Sequence, residues 1–214
     1  MKVLVVGSNG QIGQRLIQLL KESKEHTVRA LVRKKEQADA YEKQDIETVL
    51  ADLEGTVDSI TAAAKGCDAI VFTAGSGGKT GYDKTLLIDL DGAGKTIEAA
   101  EKAGIDRFII VSAIQANNRE NWHDNILPYY VAKHYADRAL ESSSLTYTII
   151  RPGILLNEPG TGKVSAAENI TYGSIPREDV ARAIVAALDE KHTYKRAFDL
   201  IAGDDSIPDA LLKV

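Results

Sequence analysis

Three side chains in the second half of the sequence have types and spacing suited to moving a proton. Tyr129 and Lys133 are four residues apart, so on a helix they share one face. The lysine would lower the pKa of the tyrosine and hydrogen-bond a cofactor ribose, while the hydroxyl of Ser112 would hold a substrate carbonyl. Together they could pass a proton during hydride transfer. Two alternatives stay open: a tyrosine-rich helix that only packs, and Tyr130 as the proton donor.

The beginning of the sequence contains a pattern that could bind a dinucleotide. The apolar run from Val3 to Val6 predicts a buried strand, and a helical pattern begins near Ile12. Between them, three glycines at a spacing of three would permit a sharp turn, the approach of a diphosphate and close helix packing. The positive end of the helix dipole would favour the phosphates. The predicted binding residues are Gly7, Ser8, Asn9, Gly10, Gln11, Ile12 and Gly13. A glycine turn without a ligand is the alternative.

The residue after the second predicted strand indicates which nucleotide would bind. Arg33 stands there, where a carboxylate would favour NAD and an arginine accommodates a 2′-phosphate. We therefore expect NADP(H) to be preferred over NAD(H), with a solvated basic turn as the alternative. Asp52 could accept a hydrogen bond from the adenine amine or could cap a helix. The further cofactor contacts predicted are Ala51, Asp52, Leu53, Thr73, Ala74 and Gly75.

Strand and helix patterns alternate from residue 2 to about residue 150. This alternation predicts an α/β fold with a doubly wound parallel sheet and helices on both faces. The predicted strands are 2–6, 27–32, 47–51, 68–73, 106–111 and 145–150, and the predicted helices are 11–22, 35–43, 56–65, 83–103 and 129–143. In such a sheet Ser112 emerges at the carboxyl edge, where ligands bind.

The alternation breaks after residue 150. Arg151-Pro152-Gly153 is predicted not to continue a regular strand, because proline cannot donate to a sheet ladder. The elements predicted further on are irregular loops with short strands at 154–174, a helix at 176–189, a strand at 196–201 and a short helix after Ser206. We predict one Rossmann-type domain over residues 1–214, in which 151–175 and 202–214 form a small appendage that caps the substrate side.

The composition limits the class of protein. The 214 residues are 44% hydrophobic and 27% charged with a net charge of −5, which is ordinary for a globular protein and gives no sign of nucleic-acid binding. Cys67 is the only cysteine and the histidines are scattered, so neither a disulfide framework nor a metal site is predicted. No apolar stretch is long enough to span a membrane. We expect a cytoplasmic monomer or homodimer that acts on a small-molecule substrate.

Several motifs together carry a family resemblance. They are Gly7-x-x-Gly10-x-x-Gly13, Val32-Arg33, Ala51-Asp52-Leu53, Asp89-Leu90-Asp91-Gly92, Val111-Ser112-Ala113, Tyr129 to Lys133, Tyr147 to Gly153 and Ile175 to Ala181. The sequence resembles the atypical short-chain dehydrogenase/reductases, in the NAD(P)H-binding or NmrA-like group that also takes in biliverdin reductase B-like proteins. The resemblance covers nearly the whole chain.

The resemblance implies site residues beyond those derived above. It implies a Rossmann domain that binds NADP, with a loop containing Pro152, Gly153 and Ile154 against the nicotinamide. It adds Asp89 to the catalytic set of Ser112, Tyr129 and Lys133. Relatives of the extended type have asparagine at the position of Asp89, so the sequence departs from their pattern there and has the residue that the atypical group usually shows.

These expectations point to an NADP(H)-dependent oxidoreductase that reduces a small carbonyl, quinone or flavin. The alternatives are a non-catalytic NADP(H)-binding regulator that senses redox state, and an enzyme similar to sugar-nucleotide epimerases and dehydratases. The polar loop 115–127 should border the pocket. In it Trp122 could stack on a flat substrate and His123 could donate a proton, or both could be exposed loop residues.

Overall fold

The computed structural model describes residues 1–78 and 80–214. Its strands are β1 (Lys2–Val6), β2 (Thr27–Val32), β3 (Glu47–Leu50), β4 (Ala69–Phe72), β5 (Arg107–Val111), β6 (Thr146–Pro152), β7 (Ile154–Leu156), β8 (Lys163–Ala167), β9 (Ser174–Pro176), β10 (Arg196–Ala202) and β11 (Asp205–Ser206). Within the described residues, nine strands form one sheet in the order β11-β8-β10-β6-β5-β4-β1-β2-β3. In this sheet only β8 and β11 pair in the antiparallel direction. All the strands from β10 to β3 are parallel to their neighbours, which confirms the predicted doubly wound fold.

Helices cover both faces of the sheet. They are α1 (Gln11–Glu22), α2 (Lys35–Glu42), α3 (Val57–Ala64), α4 (Tyr82–Lys84), α5 (Ala93–Ala103), α6 (Leu127–Glu141), α7 (Arg177–Ala187) and α8 (Ile207–Leu211). Alternate residues of each central strand enter opposite cores: Val3 and Val5 pack with α1 and α7, whereas Leu4 and Val6 pack with α3 and α5. Among the described residues no helix has the length and apolar character needed to cross a bilayer.

The helix predicted at 83–103 is continuous but not uniform. A π-helical segment, Thr85–Gly92, separates α4 from α5. Such wide turns are uncommon and frequently occur at functional sites. Asp89 lies in this segment, which packs against α6. The wide turn therefore faces the helix that carries Tyr129 and Lys133.

Strand β6 is longer than predicted. The expectation that Arg151-Pro152-Gly153 could not continue the strand is wrong for its first two residues, which pair with Asp199 and Leu200 of β10. The carbonyl of Pro152 accepts from the amide of Ile114, so the missing N–H of this proline faces the side where β5 has already ended at Val111. No ladder hydrogen bond is lost, and the proline is tolerated.

The C-terminal segments are ordered parts of the fold. Strands β8 and β11 extend the main sheet in antiparallel pairing, and α8 packs against α7 with Ala210 and Leu211 buried. Strands β7 and β9 form a small parallel pair of their own. Asp179, at the start of α7, accepts hydrogen bonds from the amides of Thr161 and Gly162. The assignment of 151–175 and 202–214 as a substrate-side cap stays a prediction.

Candidate functional site

The turn after β1 requires glycine at two of its three predicted positions. Gly7 has a φ of 93°, and a Cβ on it would lie 2.5 Å from the backbone nitrogen of Ala74. A Cβ on Gly13 would collide with the carbonyl group of Gly7, so α1 packs against the turn at backbone distance. Gly10 is different: it is exposed at the N-cap of α1, and its Cβ would meet only the Gly7 carbonyl oxygen, at 3.2 Å. Gly10 thus leaves open the approach to the free amides of α1.

Side chains beneath the turn fix its shape. Ser8 is buried and donates its hydroxyl to the carbonyl of Leu31, while the Tyr41 hydroxyl donates to the Ser8 carbonyl at 2.7 Å. Ile12 is buried in the core, whereas Asn9 and Gln11 are exposed. The turn is therefore fixed by hydrogen bonds on its buried side, while its other side is exposed to solvent. Tyr41 was not predicted from the sequence, and its place among the apolar positions of α2 gave no sign of this hydrogen bond.

The residues predicted to contact the adenosine lie at the ends of β2 and β3. Arg33 follows β2 and is exposed; its backbone amide is bound by the Gln37 side chain, and among the described residues its guanidinium forms no ion pair. Ala51 is half-buried after β3, and Leu53 is buried against the helical layer. Asp52 is exposed and its carboxylate accepts from the amide of Glu54, which is a turn contact. An anion can therefore reach the Arg33 guanidinium from solvent.

The exit of β4 runs beside the glycine turn. The Thr73 hydroxyl bonds to the carbonyl of Val6 at 3.1 Å, and Ala74 packs against Gly7. A Cβ on Gly75 would lie 3.1 Å from a carboxylate oxygen of Asp89. The other Asp89 oxygen accepts from the backbone amide of Ser76 at 2.9 Å. This segment therefore joins the predicted diphosphate turn to the predicted catalytic residues.

Tyr129, Lys133 and Asp89 form the chemical centre of the site. The Lys133 ammonium lies 5.7 Å from the centroid of the Tyr129 ring and 3.3 Å from an oxygen of Asp89. It also donates to the carbonyl of Val111 at 3.2 Å, which fixes it under the end of β5. Lys133 and Asp89 are both almost completely buried, whereas Tyr129 is half-buried. The predicted Tyr–Lys pairing on one helix face is thus present, with an acidic partner for the lysine.

The electrostatics of this group favour a protonated tyrosine. Burial raises the pKa of Tyr129 above its ordinary value. Lys133 lowers this pKa by less than burial raises it, and Asp89 and Asp137 raise it further. Burial disfavours the charge of Lys133, but its acidic surroundings raise its pKa overall. At neutral pH the site accordingly contains a charged lysine and a phenol that can donate a proton. Lys133 does act to lower the pKa of Tyr129, as its spacing predicts, but burial has the larger effect and the pKa is raised overall.

Ser112 follows β5 as predicted, but its hydroxyl is enclosed. It is 3% exposed, and its oxygen has no hydrogen-bond partner among the described residues. One oxygen of the buried Asp137 carboxylate, four residues beyond Lys133 on α6, likewise has no hydrogen-bond partner among the described residues. The Ser112 hydroxyl is close enough to favour the carboxylate form of Asp137, although burial raises the pKa of Asp137 overall. Buried polar groups without partners are rare and mark a site where a ligand atom or a water molecule would fit.

Arg151 forms a buried ion pair with Asp137 of α6. Its Nε donates to Asp137 at 2.8 Å, and its side chain is buried between β6 and α6. The sequence reasoning missed Asp137, although its spacing of four from Lys133 places it on the same helix face. The residues that follow Arg151 lie at the ligand edge: Pro152 and Gly153 are buried, and Ile154 is 53% exposed.

The ring of Tyr130 meets the ring of Tyr129 edge-on, with centroids 6.1 Å apart, and also packs with the loop that follows β5. The Tyr130 ring stacks on Trp122, with centroids 5.9 Å apart and planes within 9°. The indole N–H of Trp122 donates to the carbonyl of Gln115, so Trp122 is a packing residue of the loop, while His123 is exposed. Gln115 itself is buried with a φ of 60° and is held by Asp199, neither of which the sequence indicated. This cluster supports the loop that borders Ser112 and Tyr129.

The predicted cofactor residues lie along one continuous edge of the sheet. They follow the carboxyl ends of β1 to β6, which are neighbours in the sheet. The exposed Gly10, where a side chain would fill the space before the α1 amides, fits a diphosphate. The predicted dinucleotide groove would follow this edge from Arg33 to Ile154, with the buried lysine and the protonated tyrosine toward the Ile154 end.

Comparison with known proteins agrees with this geometry. Residues 7–191 match the model of the NAD(P)H-binding family. The chain is 64% identical over 214 residues to the uncharacterized sugar epimerase YhfK of Bacillus subtilis, with complete coverage of both chains. Among solved structures, a proposed NAD-dependent epimerase/dehydratase of Bacillus halodurans has a TM-score of 0.94 at 43% identity, again over both complete chains.

A reductase is also among the similar structures. ChuY, an anaerobillin reductase from Escherichia coli O157:H7, has a TM-score of 0.81 at 25% identity, over 96% of this chain and 99% of its own. The family match covers the glycine turn, the residues around Lys133 and the start of α7. The chain therefore belongs to the NAD(P)H-binding family of atypical short-chain dehydrogenase/reductases.

Proposed function

We propose that the protein is an NADPH-dependent reductase of a small carbonyl, quinone or flavin substrate. The observation that carries this proposal is the group of Tyr129, Lys133 and Asp89 at the end of the dinucleotide groove. A reductase needs a group that is protonated at neutral pH to neutralise the oxygen anion formed on the substrate. The raised pKa of Tyr129 supplies that state.

Different residues of the chain would bind the cofactor and transfer the proton. The α1 amides, reached past Gly10, would hold the diphosphate, and Lys133 would hold the nicotinamide ribose. Bound NADPH would supply a hydride. Tyr129 would donate its proton to the substrate oxygen and would be reprotonated from solvent, while Ser112 would position that oxygen. The buried Lys133 charge would stabilise the transient phenolate.

NADPH rather than NADH is proposed because of the charge beside the groove. Arg33 is exposed after β2, with Lys34 and Lys35 next in the sequence. A guanidinium binds a phosphate through paired charged hydrogen bonds, whereas a neutral ribose hydroxyl gains less from it. No carboxylate follows β2 directly to bind a 2′-hydroxyl.

A sugar-nucleotide epimerase is the second candidate, since two of the similar proteins carry epimerase names. An epimerase of this type must first remove a proton from the substrate, so its tyrosine works best with a pKa near the operating pH. The raised pKa of Tyr129 is poorly matched to that role. The protonated form of Tyr129, which burial and Asp89 favour, therefore supports the reductase over the epimerase.

The two candidates differ in how they use the cofactor. A reductase consumes NADPH in proportion to product, whereas an epimerase returns its cofactor unchanged in every cycle. We would follow NADPH absorbance with a panel of aldehydes, quinones and flavins, and with NDP-sugars in parallel. The expected result is substrate-dependent NADPH loss that Tyr129→Phe reduces and Tyr130→Phe does not. Isomerisation of an NDP-sugar without net NADPH loss would overturn the proposal in favour of the epimerase, and tight NADPH binding without turnover would favour a regulator.

A further inference from the structure

Asp89 is the one acidic group that touches the catalytic lysine among the described residues. It is 1% exposed and lies in the π-helical segment Thr85–Gly92, far from α6 in the sequence. One of its oxygens lies 3.3 Å from the Lys133 ammonium and the other accepts from the Ser76 amide. Both oxygens are therefore engaged, which fixes the carboxylate against the lysine.

This contact changes what Lys133 does to its neighbours. An isolated ammonium beside a phenol favours the phenolate and lowers the pKa of the tyrosine. A buried carboxylate in contact with that ammonium offsets part of the positive charge as seen from the Tyr129 ring, 5.7 Å from the ammonium. The low dielectric of a buried site makes such cancellation effective, because little water screens either charge.

We propose that Asp89 is a tuning residue, which offsets part of the charge of Lys133 and so raises the pH at which Tyr129 ionises. The role rests on the proposed function, because a protonated tyrosine serves a reductase. This role explains why an aspartate, and not the asparagine of the extended relatives, stands at this position. Asparagine would retain hydrogen bonding there but would leave the lysine charge uncompensated.

The other groups that face Tyr129 do not replace Asp89. Asp137 lies two turns along α6 and acts in the same direction, but its charge is paired with Arg151 of β6. Tyr130 is uncharged at neutral pH and stacks on Trp122. The direction of the Tyr129 pKa agrees with this balance: burial raises it, Lys133 lowers it, and Asp89 and Asp137 raise it further.

The test measures the pKa of Tyr129 in the protein without cofactor or substrate. The ultraviolet absorbance of phenolate is titrated in each protein and in the same protein carrying Tyr129→Phe, and the difference is the titration of Tyr129. Asp89→Asn should lower the pKa of Tyr129 by about one unit or more, the usual effect of an uncompensated neighbouring charge. Asp91→Asn is the matched control, because Asp91 is exposed in the same segment and pairs with Lys95. That variant should leave the titration unchanged.

The Tyr129 titrations of the two variants show whether Asp89 has this role. An unchanged Tyr129 titration in folded Asp89→Asn would overturn it, as would an equal shift in Asp91→Asn. If Asp89→Asn does not fold, the wild-type titration still tests the proposal, because a Tyr129 that ionises near neutral pH would show that Asp89 does not hold it protonated. The titration needs no turnover, so a failure of the reductase assignment is seen separately, as an absence of NADPH consumption in the wild type.

Discussion

The guanidinium of Arg151 donates to the carboxylate of Asp137 at 2.8 Å, in the core behind Ser112. Both side chains are at most 3% exposed. Each charge would be unpaired in a low-dielectric interior without the other, and a buried ion without its partner is far more costly than an exposed one. The pair joins β6 to α6 directly beneath the residues of the site.

This contact predicts a large loss of stability when one partner is removed. Asp137→Ala should lower the free energy of unfolding by about 3–5 kcal/mol, since Arg151 would remain buried and unpaired. Urea unfolding followed by circular dichroism would measure the change. Glu141→Ala is the control, because exposed Glu141 lies 3.6 Å from the same guanidinium and should matter little. Equal effects of the two substitutions would contradict the expectation.

Gly10 predicts a separation of binding from folding. A Cβ at this position meets only the Gly7 carbonyl oxygen at 3.2 Å, so Gly10→Val should fold with little loss of stability. The valine side chain would occupy the approach to the α1 amides, and NADPH binding measured by calorimetry should be lost. Gly94→Ala, in open space on α5, is the control and should bind normally. Undiminished NADPH binding by Gly10→Val would show that the diphosphate does not use this turn.

Arg33 predicts the choice between the two nicotinamide cofactors. The wild type should bind NADPH more tightly than NADH, and Arg33→Asp should reverse the order because a carboxylate repels the 2′-phosphate and accepts from the 2′-hydroxyl. Lys35→Asp makes the same charge change two residues further on and should shift the preference far less. Calorimetry with both cofactors measures the order. Equal wild-type affinities would remove the argument for Arg33.

The two adjacent tyrosines predict opposite results. Tyr129→Phe should reduce turnover by about a hundredfold or more, the usual scale for a lost general acid, with NADPH affinity nearly unchanged. Tyr130→Phe should have little effect on turnover, because Tyr130 stacks on Trp122 in the loop cluster and not on Lys133. Steady-state kinetics with one reducible substrate would compare them. If reduction survives Tyr129→Phe intact, the proton comes from substrate or solvent, and the pair would serve only to hold the ribose through Lys133.

Several features of the fold could be predicted because they are local. The apolar run Val3 to Val6, the glycine spacing and the helix spacing of Tyr129 and Lys133 each depend on residues close together in the chain. Backbone periodicity then places strand ends at one edge of a parallel sheet. The parallel character of the central sheet and the places of the cofactor-site residues after its strands follow from these patterns.

The ends of the elements were less predictable. Pro152 was expected to interrupt β6, and its tolerance depends on where the neighbouring β5 ends, which is a property of the sheet and not of the local sequence. The π-helical turn that carries Asp89 likewise has no pattern of its own within the helix predicted at 83–103. Both features arise from contacts between elements.

The amino-acid sequence by itself determined the family, the parallel sheet and the residue types available at its ligand edge. Only the tertiary structure decided which of these residues form ion pairs and which are protonated. Packing between separate elements brings Asp89 into an ion pair with Lys133 and Arg151 into an ion pair with Asp137. It also stacks the ring of Tyr130 on Trp122. Coulomb interactions depend on distance and burial, which sequence spacing does not specify beyond a single helix or strand. The protonation of Tyr129 is therefore a property of the folded chain.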